Sequence, residues 1–309
     1  MKYAVIGAGG TGGAIGGFMT KAGKDVTLIA RGEHLKQMQA NGLKFETLEG
    51  NYSVPVKACT MDEYQDIADI VFVCVKGYSL EDTLPFLERI TDEHSVIIPI
   101  LNIYGTGKKL QEKLPGCFVT DGCIYIAAEI KCPGTILLSG KIFRVVYGLR
   151  KDTPAEVCEK LNPILKQVEM DLADSAITPL YSDFIEKDAL QKFSFVSPMA
   201  ALGASHDIPA APVQEEGEMR DTFKALINEV KALSIAMEAP LPENIAEINL
   251  NIIDNLVPTA TASMQRDIKA GKQSEVDGLV YQVVRYGKQY NVPTPVYEKL
   301  ADMLQHSLS

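Results

Sequence analysis

Apolar and polar positions follow two different rhythms along this chain of 309 residues, and the change of rhythm divides it in two. In the first half, short apolar runs recur at Lys2 to Ile6, Asp25 to Ile29, Ile70 to Val75 and Val96 to Ile100, with helical or irregular stretches between them. That alternation predicts a doubly wound parallel α/β sheet. Between Leu43 and Ala58, alternation around Gly50-Asn51 predicts a β-hairpin inserted ahead of the third core strand. Strand-like pieces at Gly134 to Ser139 and Ile142 to Gly148 predict that the sheet continues further. A helix over Pro154 to Val168 closes this half, and Asp171 to Thr178 reads as the join.

Beyond the join the period changes. Phe223, Leu226, Ile227, Val230, Leu233 and Met237 recur at helical spacing, which gives one helix an apolar face. Segments near Glu243 to Leu256, Ser263 to Ala270, Val276 to Tyr290 and Thr294 to Leu304 also read as helices, broken by Pro240, Pro242, Pro258 and Pro293. The expectation is two domains: an α/β domain over residues 1–173 and an all-helical domain over residues 174–309.

The first strand runs straight into Gly7-Ala8-Gly9-Gly10-Thr11-Gly12, then a helix, then the strand ending at Ile29. Strand, glycine turn, helix and strand are the order of a Rossmann-like dinucleotide-binding βαβ unit. Gly7 permits the tight turn, Gly9 lets a pyrophosphate approach the backbone, and Gly12 lets the helix lie close on the strand. Unpaired N–H groups at the helix N-terminus then face the phosphates. In NAD-binding units the second strand commonly ends in an acid for the ribose 2′-OH, whereas here Leu28-Ile29-Ala30 ends in Arg31. A guanidinium matches a 2′-phosphate, so NADP (NADPH) is the expected cofactor. Glu33 nearby would serve a plain ribose instead.

Composition narrows the setting. Forty acidic against thirty basic residues give a net charge of −10, which opposes nucleic acid and anionic membrane as partners. No apolar run reaches the ~18 residues of a membrane span, and Met1 leads directly into the first strand, so no secretory leader is expected. The six cysteines form neither a CxxC pair nor a metal-ligand spacing, which fits reduced thiols in a cytoplasmic protein. His34, His94 and His306 lie apart, and no metal is expected. Ser205, His206 and Asp207 carry hydrolase residue types, but consecutive positions cannot form a triad.

In an open α/β sheet the ligand lies beyond the carboxyl ends of the strands. Lys76 and Asn102 follow two such ends and share that rim with the glycine turn. Together with Ala30-Arg31-Gly32-Glu33-His34-Leu35, Lys192 in Leu190-Gln191-Lys192-Phe193, Ser263-Met264-Gln265-Arg266-Asp267-Ile268 and Ser274-Glu275-Val276-Asp277, they make the sequence resemble the ketopantoate reductase family, the NADPH-dependent 2-dehydropantoate 2-reductases of pantothenate biosynthesis. The resemblance spans essentially the whole chain. It implies a Rossmann domain, a helical domain and an active site in the cleft between them. It makes Lys192 the proton donor and a substrate contact, with Glu275 beside the cofactor and the reacting centre. Ser263 would bind substrate, Asn102 and Lys76 would meet the nicotinamide ribose region, with Asn102 also touching substrate, and Arg31 would hold the adenosine phosphate. The partner implied is a small 2-oxo acid, and a homodimer is the assembly carried with it.

Hydride arriving at a ketone carbon leaves charge on oxygen, which an ammonium stabilises and then protonates. Burial would lower the lysine pKa toward that task, while a close carboxylate raises it. A helix-surface Lys192 bridging to Glu186 or Asp188 is the plainer alternative. Val196, Ala200 and Ala260 stand where the family offers asparagines, and Ile103 where a glycine is usual. Each lost hydrogen bond removes ~1–3 kcal/mol of discrimination, which leaves the substrate open within the 2-oxo acids. Pro198 predicts a bend or break in the Lys192 helix. A reductase of another carbonyl or imine, and a non-catalytic NADP-binding sensor, are the competing readings.

Overall fold

The computed structural model describes residues 1–308, and they form two compact units. The first holds Met1–Leu101 and Gly105–Ile185; the second holds Asn102–Tyr104 and the chain from Glu186 onward.

In the first unit the elements run β1 (Lys2–Ile6), α1 (Gly10–Lys21), β2 (Asp25–Ile29), α2 (Gly32–Asn41), β3 (Leu43–Thr47), β4 (Gly50–Val54), β5 (Lys57–Cys59), β6 (Ile70–Val73), α3 (Leu84–Ile90), β7 (Val96–Pro99), α4 (Thr106–Lys113), β8 (Phe118–Val119), β9 (Asp121–Cys132), β10 (Thr135–Gly148), α5 (Ala155–Asp174) and β11 (Thr178–Tyr181). Six strands make the expected parallel sheet, in the order β5-β2-β1-β6-β7-β8. Its apolar runs are buried on both faces. Tyr3, Val5, Ile70 and Phe72 pack with α1, α5 and β10 on one side, while Ala4, Ile6, Val71 and Val73 pack with α3 and α4 on the other. The glycine-rich α1 keeps its helix because Ala14, Ile15 and Met19 are fully buried in that packing.

The later strands do not extend this sheet as expected. They build a second sheet, β11-β10-β3-β4 with β9 on β10, and the hairpin β3–β4 belongs to it. Its turn falls at Leu48-Glu49 rather than at Gly50-Asn51, since Thr47 faces Gly50. β5, inside the stretch read as hairpin, instead pairs in parallel with β2 as the edge of the first sheet. The expected join is also structured. α5 runs on to Asp174, where Asp171 accepts hydrogen bonds from the Tyr3 hydroxyl and from Lys24 Nζ at 3.0 Å. β11 then pairs with β10. The division of the chain therefore falls after Ile185 rather than after residue 173.

The second unit is helical: α6 (Ile185–His206), α7 (Ala211–Gln214), α8 (Glu218–Ala236), α9 (Ile245–Asp254), α10 (Ser263–Lys269), a π-helical turn over Asp277–Tyr281, α11 (Gln282–Tyr290) and α12 (Pro295–Leu308). α6 does not break at Pro198. Proline has no N–H for the carbonyl four residues back, that of Ser194, and the buried Asn249 of α9 supplies the donor instead, Nδ2 to Ser194 O at 2.9 Å. Ser197 donates to the Leu279 carbonyl in the π-helical turn at 2.6 Å, and its oxygen lies 2.6 Å from the Tyr297 hydroxyl. Glu229 accepts the Val296 and Tyr297 N–H groups at 2.8 and 3.0 Å, capping α12. Among the described residues, no helix is long and apolar enough to cross a membrane.

Candidate functional site

The glycine turn leaves β1 with Gly7 at φ +86, a conformation that favours glycine. Ala8 is buried behind it, and Gly9 caps α1 without a side chain. At Gly12 a Cβ would collide with the Gly7 carbonyl, so the close approach of helix to turn needs glycine there. Gly9 is different: no atom lies within 4 Å of where its Cβ would be, so nothing in the fold excludes a side chain. The first helical donor is Gly13 N–H, to Gly9 O at 2.7 Å. The N–H groups of Gly10, Thr11 and Gly12 precede it and are not used by the helix. The first turn of α1 carries no acid. An open approach, three helix-terminal N–H groups and the positive end of the dipole fit a diphosphate.

Arg31 follows β2 as the exposed N-cap of α2, and the carboxylate of Glu33 accepts a 2.8 Å hydrogen bond from Gln37 on the same helix. Lys76 lies three residues past the end of β6, at the start of a short 3₁₀ turn whose Ser79 N–H donates back to Lys76 O at 2.9 Å. Both belong to the first unit. His34 joins this group through a ring nitrogen 2.9 Å from Ala8 O.

In the second unit Lys192 is 8% exposed, which removes it from the class of solvated helix-surface lysines. Its Nζ donates to Asn102 Oδ1 at 2.7 Å. Asn102 therefore groups with the helices, while Lys76, expected beside it on the rim, stays with the first unit. The next residues are fixed in the same way. A Cβ on Gly278 would overlap the Ile103 side chain, so Ile103 fills that space against the π-helical turn. Tyr104 O accepts Gln282 Nε2 at 3.0 Å. Glu275, 5% exposed, lies three residues before Gly278, and its carbonyl accepts the Leu279 N–H at 2.9 Å. Single π-helical turns occur frequently at functional sites. Ser263 opens α10, half-buried.

The three family positions that lack asparagine separate. Ala200 is fully buried in the core, whereas Val196 and Ala260 are half-buried. Ser205 Oγ lies 2.9 Å from His206 Nδ1, but Asp207 turns away to Lys269 at 3.2 Å, so the three make no triad. Among the described residues no three of His, Cys, Asp and Glu gather as a metal-binding group. Sequence reasoning missed Asn249, Ser197 and the role of His34. Pro198 was the available signal for Asn249, because a carbonyl it cannot serve must find another donor when buried.

Residues 3–151 match the family described as Ketopantoate reductase PanE/ApbA, and residues 184–307 match Ketopantoate reductase PanE/ApbA C terminal. A Bacillus subtilis (strain 168) relative, named Uncharacterized oxidoreductase YkpB, is 28% identical over 309 residues, spanning 99% of this chain and 98% of its own. The 2-dehydropantoate 2-reductase of Aquifex aeolicus (strain VF5) is 26% identical over 312 residues, spanning 99% and 96%. Among solved structures, the ternary structure of D-mandelate dehydrogenase with NADH and anilino(oxo)acetate has a TM-score of 0.87 at 21% identity, covering 99% of this chain and 98% of that one, a likeness of fold. With both stretches matched, the chain belongs to the ketopantoate reductase PanE/ApbA family.

Proposed function

We propose that this protein reduces a small 2-oxo acid to the 2-hydroxy acid with NADPH, 2-dehydropantoate to pantoate being the first substrate to test. The observation that carries the reading is a buried ammonium, Lys192, held by the neutral acceptor Asn102 rather than exposed to solvent. The family relative from Aquifex aeolicus bears the name of this reaction.

The residues that would hold the cofactor are Gly7 to Gly12 for the diphosphate, Arg31 for the adenosine phosphate, and Lys76, Asn102 and Glu275 toward the nicotinamide half. When bound, NADPH supplies the hydride. Lys192 then meets the charge that develops on the substrate oxygen and releases a proton from Nζ to it. Asn102 holds Nζ in one direction, which spends no freedom at the moment of transfer. Glu275 and Ser263 orient the lysine and the substrate. Val196 and Ala260, both apolar and half-buried, favour a 2-oxo acid with an apolar side chain over one recognised through a hydroxyl.

The cofactor half of the reading is tested by titrating NADPH and NADH against wild type and Arg31→Ala. The variant should lose about tenfold in NADPH affinity and little in NADH affinity. Equal losses for both nucleotides would remove Arg31 from 2′-phosphate recognition.

A further inference from the structure

His34, on the first turn of α2, ties together two backbones. Its Nδ1 accepts a hydrogen bond from Gly134 N–H at 2.9 Å, in the turn between β9 and β10. Its Nε2 lies 2.9 Å from Ala8 O in the glycine turn. An amide N–H only donates, so Nδ1 carries no proton, and the ring proton sits on Nε2 and points at Ala8. The surroundings thus fix one neutral tautomer.

The bond matters because of what the Ala8–Gly9 peptide can otherwise do. Glycine at position 9, with open space where a Cβ would stand, puts little steric resistance on rotation of that peptide. Gly9 N–H closes a tight three-residue turn onto Gly7 O at 2.7 Å, and His34 holds the same peptide from its carbonyl end. A peptide turned over would bring a carbonyl oxygen toward the N–H groups that suit a phosphate, and the partial charge would repel it.

We propose that His34 is a positioning residue for the dinucleotide turn: neutral, it keeps the Ala8 carbonyl away from the phosphates, and protonated, it releases the turn. This rests on the reading of Gly7 to Gly12 as the diphosphate seat. Protonation would set an Nδ1–H against the Gly134 N–H, donor facing donor; the ring then loses its anchor at Gly134 and turns, and its Nε2–H, although still a donor, no longer holds Ala8 O where the anchored neutral ring holds it. Burial pushes the imidazole pKa below its ordinary value, and the bond to the Ala8 carbonyl works the other way. The ionisable residues nearest these contacts along the chain are Arg31, Glu33 and Lys36 around α2, and Glu129, Lys131 and Cys132 at the Gly134 end of β9; Asp121, Cys123 and Tyr125 lie further back on β9, Lys141, Arg144 and Tyr147 further along β10, and α1 has none before Lys21. Glu33 is bonded to Gln37, and Lys131 to Glu46 at 2.5 Å. The sign follows: binding is at full strength above the ordinary histidine pKa of about 6.5 and is lost as pH falls through the lower value in the folded protein.

The test is the dissociation constant of NADPH and of NADH, by nucleotide fluorescence from about pH 8 to about pH 5, for wild type, His34→Ala and His34→Gln. NADH is included because the 2′-phosphate of NADPH titrates near pH 6 itself. A glutamine Nε2 can donate to Ala8 O and does not titrate. Wild type should lose about tenfold in NADH affinity across the range, and His34→Ala should bind about tenfold more weakly even at the upper end. His34→Gln should recover most of that loss at the upper end and show a flat NADH profile. A glutamine variant with the wild-type pH profile, or an alanine variant that binds as wild type does, overturns the inference and leaves the proposed function standing. Should His34→Ala not fold, the wild-type and glutamine profiles decide alone. Wild type that binds neither nucleotide at any pH overturns both.

Discussion

Lys192 Nζ donates to Asn102 Oδ1 at 2.7 Å, and both side chains belong to the helical unit although Asn102 follows the sheet strand β7 by only a few residues. The carboxamide holds the ammonium in one place, and a carboxylate put in its position would make that ammonium a weaker acid. Asn102→Asp should therefore move the alkaline limb of the kcat profile to higher pH, and Asn102→Leu should move it lower while reducing kcat about tenfold or more. A pH–rate profile of each variant checks this; unchanged limbs would separate the bond from catalysis.

Two glycines of the same turn should respond in opposite ways. At Gly12 an added Cβ meets the Gly7 carbonyl, so Gly12→Ala should lower thermal stability by several degrees. At Gly9 the backbone is extended and the Cβ position is open, so Gly9→Ala should leave the melting temperature within about a degree or raise it. Its NADPH affinity should nevertheless fall about tenfold. Melting curves paired with nucleotide titrations make the comparison; Gly9→Ala with full affinity would mean that no ligand approaches that backbone.

Asn249 stands in for the N–H that Pro198 lacks. Asn249→Ala should destabilise the protein by about 1–3 kcal/mol, the usual cost of a buried acceptor left unpaired. In a Pro198→Ala background, where an alanine N–H can serve Ser194 O, the same substitution should cost clearly less. Denaturant unfolding of the four proteins gives the coupling directly, and additive costs would refute the exchange of donors.

Much of this was legible in the sequence for a definite reason. Strands buried on both faces must be mostly apolar, so β1, β2, β6 and β7 read as runs, and the apolar face of α8 reads by period. The second sheet did not, because nothing in a strand's own pattern says which sheet it joins: β4 and β5 lie a few residues apart and belong to different ones. The same holds at the site. Lys192 and Asn102 were each visible as residue types, but the bond between them spans ninety positions. His34, read alone, is a histidine without ligand spacing, and its partners Ala8 and Gly134 offer only backbone groups.

Asp171 anchors the end of α5 to β1. Burial works against its charge, but hydrogen bonds from Tyr3, Lys24 and Gln167 hold its carboxyl below the ordinary aspartate range. A depressed pKa of this kind contributes stability above the unfolded-state value of about 3.9, and that contribution is lost as pH falls through the lower folded-state value. Asp171→Asn should destabilise at neutral pH by about 1–3 kcal/mol, and the gap to wild type should close in acid below about pH 4. Urea midpoints measured across that range test it; a gap independent of pH would show that the ionised form is not what is stabilised.

The decisive measurement is NADPH consumption by wild type and Lys192→Ala with ketopantoate, its analogue lacking the 4-hydroxyl, and a panel of other branched 2-oxo acids, together with the NADPH dissociation constant of each protein. Wild type should turn over at least one of these acids, and Lys192→Ala should lose about a hundredfold or more in kcat at nearly unchanged cofactor affinity. Wild type that turns over none of them, or a Lys192→Ala variant that works as fast as wild type, would contradict the proposed function.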